Sequence, residues 1–430
     1  MSFDRSAHRR ITSLTAREIL DSRGWPTVMV TVGLADGAVA SASVPSGAST
    51  GQFEAHELRD GDPARYSGRG VLQACAHVAQ TIAPALMGFA ATSQQEIDRL
   101  LCDLDGTPNK SRLGANAILG VSLAVARAGA LSLGAPLYRY LGGVGARRLP
   151  VPMMNVINGG KHAGNGLQMQ EFMIVPHGVP AYGEALRYGS ETYHALKSLL
   201  EEAGLSTGVG DEGGFAPKLA SERQALEFIV RAIEKAGFEP GRQIAIALDP
   251  AATSFAHDGQ YALPSLGPRS LTADELLAVY EDWSRSFPIV SIEDGFAETD
   301  WPAFSQQTAS MGDRVQIVGD DLYVTNTRFI ARGIAEKATT AALIKPNQIG
   351  TVTETIAAVD LCRRSGLAYK FSHRSGETVD SFVADFAVAM GGGQLKAGAP
   401  CRGERLAKYD RLLEIEDELG GAEFISPFIR

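Results

Sequence analysis

The sequence is poor in cysteine and has no block of basic residues. Its four cysteines, Cys75, Cys102, Cys362 and Cys401, are far apart in 430 residues and form no Cys-x-x-Cys pair. This argues against a disulfide framework and against a zinc ribbon, and it favours a reducing, cytoplasmic location. Forty Lys and Arg residues stand against 49 Asp and Glu residues, for a net charge of −9. We therefore expect no nucleic-acid partner.

Uninterrupted apolar segments of membrane-spanning length are also lacking. Residues 1–10 are polar and basic without an apolar core, so we expect no secretory signal. The segment 117–137 approaches the length of a span, but Arg127 lies at its centre and several glycines, Ser122 and Pro136 interrupt it. A helix buried in a protein core, and no membrane insertion, is the prediction.

The first third of the chain predicts a small α+β domain. Residues 13–44 alternate, with Val28, Val30 and Val32 on one face, as in antiparallel strands. Helices are predicted at 70–86 and 93–104, the second with Ser93 as N-cap and Glu96 completing a capping box. A Gly/Arg-rich segment follows at 141–148. We place a domain boundary there, near Arg147, and expect a capping domain at 1–146 and a catalytic domain at 147–430.

Five ionisable residues in the remainder each follow a short apolar run: Asp249, Glu293, Asp320, Lys345 and His373. Successive gaps are 44, 27, 25 and 28 residues, and the last three each match one strand, one helix and two loops. Helical segments at 221–236, 272–287 and 350–365 alternate with these runs. The pattern predicts a (β/α)₈ barrel with the five residues at the C-terminal ends of parallel strands, the catalytic edge of such barrels.

Three of these five residues are carboxylates, the hard oxygen ligands that divalent cations prefer. Any one acid could be a helix N-cap after its strand, but three at one level favour a metal site. Glu293-Asp294 and Asp320-Asp321 are doublets, and spacing leaves open which member coordinates. Lys345 could be a general base with a pKa lowered by burial, or a charged salt-bridge partner.

Two glycine-rich loops and an acidic turn add weaker signals. The loop 44–51 could close over the barrel as a lid or be a plain surface turn. His162, in the loop 158–165, could shuttle a proton, contact a phosphate or simply lie at the surface. Glu212 lies between glycines. If the fold brings it next to Glu171, the two carboxylates would raise each other's pKa, as a general acid near neutrality requires. The alternative is a solvated acidic turn.

A set of cationic and hydroxyl donors comes last in the chain. His373-Arg374-Ser375 and Lys396 could bind a phosphate and a carboxylate. We therefore expect a small substrate carrying two or three negative charges.

Co-ordered motifs over residues 14–419 resemble the enolase family. They are Ile19-Leu20-Asp21-Ser22-Arg23-Gly24, the loop 46–51, Gly114-Ala115-Asn116-Ala117, Gly210-Asp211-Glu212-Gly213-Gly214, Ser291-Ile292-Glu293-Asp294, Lys345-Pro346-Asn347-Gln348 and Ser372-His373-Arg374-Ser375-Gly376-Glu377-Thr378. The resemblance implies a barrel with an irregular ββαα start. It also implies reversible dehydration of 2-phosphoglycerate to phosphoenolpyruvate by a cytoplasmic homodimer or higher oligomer with two Mg²⁺ ions per active site.

The resemblance also implies roles for individual residues. Asp249, Glu293 and Asp320 would hold the first Mg²⁺, and Ser49 would join the second when the lid closes. Lys345 would take the C2 proton, a pairing of base and metal known for this superfamily. Glu212, assisted by Glu171, would protonate the leaving C3 hydroxyl. The substrate would contact His162, Glu171, His373, Arg374, Ser375 and Lys396.

Four residues depart from the family pattern: Trp25, Pro250, Gly295 and Asp410. None removes a catalytic group, but they keep two alternatives open. One is a related enzyme acting on a phosphonate or another phospho-acid in secondary metabolism. The other is a non-catalytic scaffold with the same fold.

Overall fold

The computed structural model describes residues 7–48 and 50–428. Its first part is a three-stranded antiparallel sheet in the order β1-β2-β3, covered by helices. The elements are β1 (Ile11–Leu20), β2 (Pro26–Leu34), β3 (Val39–Ser43), α1 (Leu72–His77), α2 (Ala83–Leu86), α3 (Gln94–Asp105), α4 (Ala115–Ser132) and α5 (Leu137–Gly142). A π-helical turn, Val78–Ile82, joins α1 to α2.

Helix α4 packs on this sheet because its apolar residues meet the buried face of β2. Val28, Val30 and Val32 are fully buried there, as their alternation predicts. Gly120 lets the helix approach, since a Cβ on it would lie 2.6 Å from Val30 Cγ2. By length and composition α4 could cross a membrane, but 83% of it is buried inside the protein. The prediction of a buried core helix is therefore confirmed.

The predicted capping box at Ser93 is wrong. Ser93 does precede α3, but its side chain makes no capping hydrogen bond. Its backbone, at φ −87° and ψ 49°, departs from the extended conformation that aims an N-cap oxygen at the amides of the first turn.

The second part is a closed eight-stranded barrel in the order β5-β6-β7-β10-β11-β12-β13-β14, whose last strand returns to β5. Its elements are β4 (Arg148–Leu149), β5 (Val151–Asn158), β6 (Glu171–Pro176), α6 (Tyr182–Glu202), α7 (Glu222–Lys235), β7 (Ile244–Asp249), β8 (Ala256–His257), β9 (Gln260–Tyr261), α8 (Ala273–Ser286), β10 (Ile289–Glu293), α9 (Trp301–Met311), β11 (Gln316–Gly319), α10 (Thr327–Glu336), β12 (Ala341–Ile344), α11 (Pro346–Ile349), α12 (Val352–Arg364), β13 (Ala368–Ser372), α13 (Phe382–Met390), β14 (Gln394–Lys396), α14 (Gly403–Leu419) and β15 (Glu423–Phe424).

The barrel starts irregularly. Strands β5 and β6 come in succession, helices α6 and α7 follow, and only from β7 onward do the major strands and helices alternate. Strand β6 runs antiparallel to both β5 and β7, whereas the other neighbouring pairs are parallel. The predicted fold class, a (β/α)₈ barrel with a ββαα start behind a smaller α+β domain, is confirmed.

Alternation along the strands divides the core. One cluster of buried side chains takes alternate residues of three strands: Val151, Met153, Met173, Val175, Ala245 and Ala247. The residues between them, such as Met154, Ile174 and Ile246, belong to the large outer core shared with the helices. Because the period is two, Glu171 and Asp249 fall on the face of the inner cluster, at its upper end.

Candidate active site

The five ionisable residues that follow apolar runs lie at one end of the barrel. Asp249 and Glu293 are the last residues of β7 and β10, and Asp320, Lys345 and His373 directly follow β11, β12 and β13. All five are at most 8% exposed. The spacing of the sequence thus places them correctly on neighbouring strands.

Glu171 reaches the same end by a different route. It is the first residue of β6, not the last, and the antiparallel direction of β6 brings it opposite Asp249 in the register. A rule that looks only after apolar runs cannot find it. Glu212 and His162 come from loops, between α6 and α7 and between β5 and β6, and both are buried.

Lys396, the last residue of β14, ties the acids together. Its Nζ donates to Asp249 Oδ2 at 2.8 Å, to Glu293 Oε1 at 2.7 Å and to Glu171 Oε1 at 3.2 Å. Four charged groups are buried in one network, and the carboxylates outnumber the ammonium group. Such a cluster needs further positive charge.

Part of that charge comes from two other lysines. Lys345 Nζ donates to Asp320 Oδ2 at 2.5 Å, and Lys370 Nζ of β13 lies 2.6 Å from Glu293 Oε2 with both side chains fully buried. Burial acts to lower the pKa of Lys345, but the nearby carboxylates, Asp320 first and then Glu293, together raise that pKa overall. Of the two roles that the sequence left open for Lys345, the charged salt-bridge partner describes its contact with Asp320 in this structure.

The carboxylates differ in how well they are compensated. Burial raises the pKa of Asp249 to about 7, although Lys396 acts against it. Burial also acts on Glu293, but Lys370, Lys396 and Lys345 together lower the pKa of that carboxyl strongly. Of these two carboxylates, Asp249 is therefore the one with less compensating positive charge.

The acidic doublets separate by their hydrogen bonds. Asp294 accepts from the backbone amides of Asp320 at 2.8 Å and Asp321 at 2.7 Å, so its oxygens are used to hold the loop after β11. Glu293 instead faces Lys396 and the barrel centre. Asp320 points to Lys345 and also accepts from Gln348 Nε2 at 2.8 Å.

The residues present fit a divalent cation such as Mg²⁺. Asp249, Glu293 and Asp320 supply buried carboxylate oxygens, and neither thiol nor imidazole takes part in that trio. Asp294, Asp320 and Asp321 form a second acidic group, whose nearest oxygens lie within 4.8 Å of one another. These buried carboxylate oxygens are the ligands that such a cation would use.

Glu171, Glu212 and His162 form a separate group on another wall, with ligand atoms within 4.8 Å of one another. Burial, then the nearby Glu212, raises the pKa of Glu171 well above its usual range. Burial acts to raise the pKa of Glu212 as well. Protonated His373 and His162 would act against burial and bring the pKa of Glu212 well below its usual range. Burial, however, lowers the pKa of His373 to about 4 and that of His162 as well, so both rings are neutral at pH 7.

A neutral pair of imidazoles changes the state of this group. Without their charge, two buried carboxyls lie side by side with one excess proton between them at neutral pH. Glu171 is the member that holds it, because burial, Glu212, Asp249 and Glu293 all favour its neutral form. The pair is thus a buried proton donor.

The anion-binding donors lie beside the barrel mouth. Arg374 makes a two-pronged ion pair with Glu54 of the first domain, Nη1–Oε2 at 2.9 Å and Nη2–Oε1 at 3.1 Å. Ser375 Oγ lies 3.1 Å from His162 Nε2. The loop 44–51 reaches this edge as well, since the backbones of Ser46 and Gly376 exchange two hydrogen bonds of 2.8 Å. Ser49 lies outside the described residues.

The four departures from the family pattern leave the site intact. Trp25 stacks under the Arg69 guanidinium, 4.3 Å from its ring centroid. A Cβ on Gly295 would lie 3.0 Å from Gln307 Nε2, so a larger residue here would require the Gln307 side chain to shift slightly. Pro250 is buried behind Asp249, and Asp410 is exposed.

Three charged residues at the site were missed from the sequence: Lys370, Arg405 and Glu54. Lys370 interrupts the apolar run Tyr369-Lys370-Phe371, and a charge at an inward position of a buried strand was an available signal. Arg405 and Glu54 gave none, since their partners Ser375 and Arg374 are 30 and 320 residues away in the sequence.

Comparisons with known proteins agree with this architecture. Residues 11–141 match the family described as "Enolase, N-terminal domain", and residues 146–426 match "Enolase, C-terminal TIM barrel domain". The chain is 60% identical over 413 residues to "Enolase 1" of Methylococcus capsulatus, covering 96% of this chain and 98% of the relative. It is 58% identical to "Enolase" of Desulfotalea psychrophila, covering 95% and 97%. It is 56% identical to "Enolase 2" of Pseudomonas syringae, covering 96% and 97%.

The two domain matches together extend over nearly the whole chain, as does each of the three relatives. The acidic trio, Lys345 and the Glu171–Glu212 pair lie within the matched barrel. The chain therefore belongs to the enolase family.

Proposed function

We propose that this protein catalyses the reversible dehydration of 2-phosphoglycerate to phosphoenolpyruvate, with Mg²⁺ as the metal. One observation carries the proposal. Lys345 follows β12 and Glu171 begins β6, and these two strands are four places apart in the eight-stranded ring. A base and a proton donor thus stand on opposite walls of the barrel, as the removal of a proton and a hydroxyl from opposite faces of one substrate requires.

Lys345 is the base for the C2 proton. It is fixed at the end of a fully buried strand and reaches the acidic trio. To accept a proton it must first lose its own, which its ion pair with Asp320 opposes. The charge of Asp320 must therefore be withdrawn from Lys345 before the step, as a cation held by Asp320 together with Asp249 and Glu293 would do.

Metal binding is assigned to Asp249, Glu293 and Asp320. Mg²⁺ held by these carboxylates would supply the positive charge that stabilises the negative charge developing on the substrate carboxylate when C2 is deprotonated. Ser49, with the phosphate, is proposed for a second ion. Lys396 adds a fixed ammonium group at the same carboxylates and supports the substrate carboxylate.

The Glu171–Glu212 pair supplies the proton for the leaving group. The bond between C3 and its hydroxyl oxygen breaks, the electron pair left at C2 forms the double bond, and the proton of the pair converts the departing hydroxide to water. Glu212 is the member proposed to touch the hydroxyl, with Glu171 as its proton reservoir. Deprotonation and proton donation are thus separate acts of separate residues.

The substrate phosphate is proposed to bind at Arg374 and Ser375, with His162 and His373 lining the site. Arg374 offers a planar fork for two phosphate oxygens. Glu54 occupies that fork here, so the phosphate must displace a carboxylate.

Domain limits, assembly and location complete the proposal. We place the boundary near Arg147, with domains 1–146 and 147–430, in a cytoplasmic dimer or higher oligomer. The short segment between α5 and β4 contains Gly143 and Gly145 and supports a boundary there.

The test is the ultraviolet absorbance of the enol phosphate formed when the purified protein meets 2-phosphoglycerate, first with Mg²⁺ and then with EDTA. Lys345→Ala should abolish the signal, whereas Lys197→Ala, on the exposed face of α6, should retain it. A folded, metal-loaded protein that gives no signal would reject the proposal. Phosphonate analogues would then be assayed, and failure with these would leave the scaffold reading.

A further inference from the structure

A fully buried arginine of α14 joins the loops that carry the proposed proton donor and anion site. Arg405 is 0% exposed. It donates to the backbone carbonyls of Arg374 and Ser375 at 2.6 Å each, and to that of Asp211 at 3.0 Å. The residue before Glu212 and the residues after His373 are therefore held by one guanidinium group.

The same guanidinium settles where the proton of His373 lies. Arg405 Nη1 is 2.7 Å from His373 Nδ1, and a guanidinium group can only donate. Nδ1 must therefore accept, and the single proton of the neutral ring lies on Nε2. Nε2 is buried, is 3.3 Å from Glu212 Oε2, and makes no hydrogen bond within the part of the chain that the structure describes.

We infer that Arg405 is a positioning residue for the elimination half of the reaction, acting through the tautomer of His373 on Glu212. The inference rests on the proposed function. An N–H group 3.3 Å from Glu212 Oε2 stabilises the charge that this carboxyl gains when it gives up its proton. With the opposite tautomer, a lone pair would face Glu212 and repel the carboxylate.

The charged groups around His373 support a ring that stays neutral. Glu212, Arg405 and Glu377 face it, and burial, against the attraction of Glu212, lowers its pKa to about 4. Near pH 7 only the choice of nitrogen remains, and Arg405 makes that choice.

If Arg405 only held the two loops together, its loss would give a different result. Deprotonation and elimination would both slow, because the positions of Arg374 and Glu212 both depend on Arg405. Action through His373 disturbs proton donation by Glu212 and leaves C2 deprotonation by Lys345 alone. The two half-reactions can be measured separately, as exchange of the C2 proton with D₂O and as formation of the enol phosphate.

Arg402, the residue directly before α14, offers a matched control. It also donates to backbone carbonyls, of Gly210 at 3.2 Å and Ser22 at 3.0 Å, and its third hydrogen bond goes to the Glu404 side chain rather than to His373. Arg405→Gln should lower the rate of enol phosphate formation about 10- to 100-fold while C2 exchange falls by less than about threefold. Arg402→Gln should leave the ratio of the two rates at the value of the unaltered protein. A parallel fall of both rates in Arg405→Gln would overturn the inference.

Two further measurements keep the test decisive if Arg405→Gln does not fold. ¹⁵N-histidine NMR of the unaltered protein should show His373 with a protonated Nε2 and a bare Nδ1, and the reverse would refute the inference. In a double-mutant cycle, Arg405→Gln should change the ratio little once His373→Gln is present. A complete absence of C2 exchange in the unaltered protein would instead reject the proposed function, so the two failures are distinguishable.

Discussion

Lys370 is expected to weaken Mg²⁺ binding, and Lys370→Met tests this. Its ammonium group lies 2.6 Å from Glu293 Oε2, both side chains are fully buried, and Lys396 occupies the other oxygen at 2.7 Å. Removing one partner of a buried ion pair costs about 3–5 kcal/mol. Because Lys396 remains, we expect a loss of about 3 kcal/mol in the free energy of unfolding without metal.

The same substitution should tighten Mg²⁺ binding. A dication on Glu293 Oε1 would lie roughly 5.5 Å from the Lys370 ammonium, a repulsion of about 6 kcal/mol at an effective dielectric constant of about 20. If only about a quarter of this survives relaxation and solvent screening, the dissociation constant still falls about tenfold. Mg²⁺ should accordingly raise the melting temperature of Lys370→Met more than that of the unaltered protein.

The assay is calorimetric titration with Mg²⁺, together with thermal unfolding with and without the ion. Lys408→Met is the matched control, since Lys408 is also a buried lysine, paired with Glu377 at 2.8 Å outside the acidic trio. The control should lose stability and keep the Mg²⁺ affinity of the unaltered protein. Equal or weaker Mg²⁺ binding by Lys370→Met would refute the reasoning.

Three other predictions follow from buried charges and thiols. Glu54→Gln removes the carboxylate that competes for Arg374, so the KM for the phosphorylated substrate should fall about 5- to 10-fold, or about 1 to 1.4 kcal/mol, with kcat measured alongside. Asp380→Asn breaks a two-pronged ion pair with Arg127 of α4. In the unaltered protein this ion pair lowers the pKa of Asp380 despite its burial. By denaturant unfolding, the variant should therefore be about 2–4 kcal/mol less stable than the unaltered protein at pH values above the unfolded pKa of about 3.9. This difference should vanish as the pH falls through the lowered pKa of Asp380 in the folded protein. Burial raises the pKa of Cys362 to about 12, so it should react with thiol reagents at pH 8 only on unfolding.

Most of the barrel could be predicted because each regular βα unit repeats one local signal. The predicted helices at 221–236, 272–287 and 350–365 lie within two residues of Glu222–Lys235, Ala273–Ser286 and Val352–Arg364. Their caps explain this accuracy, since the Ser221, Thr272 and Thr351 side chains each accept a hydrogen bond from the first turn. Strong local caps fix the start of a helix without tertiary information.

The ββαα start could not be read from spacing. An apolar run does not indicate which way its strand runs in the sheet. The antiparallel register of β6 with β7, in which Glu171 lies opposite Asp249, shows that β6 is reversed. The resemblance to a family supplied what periodicity could not. Arg405 and Glu54 remained hidden for a related reason, because a charged group whose partners are distant in the sequence leaves no local pattern.

The same internal pairs explain why substrate and metal should bind cooperatively. In this structure Arg374 is paired with Glu54, Lys345 with Asp320, and Lys396 with three acids. A phosphate must displace a carboxylate, and a cation must displace or share an ammonium group. Each released group then becomes available to the other ligand, so the two affinities rise together, and by linkage the effect is reciprocal. The charged side chains of the site thus neutralise one another in this structure, and ligand binding would separate these pairs.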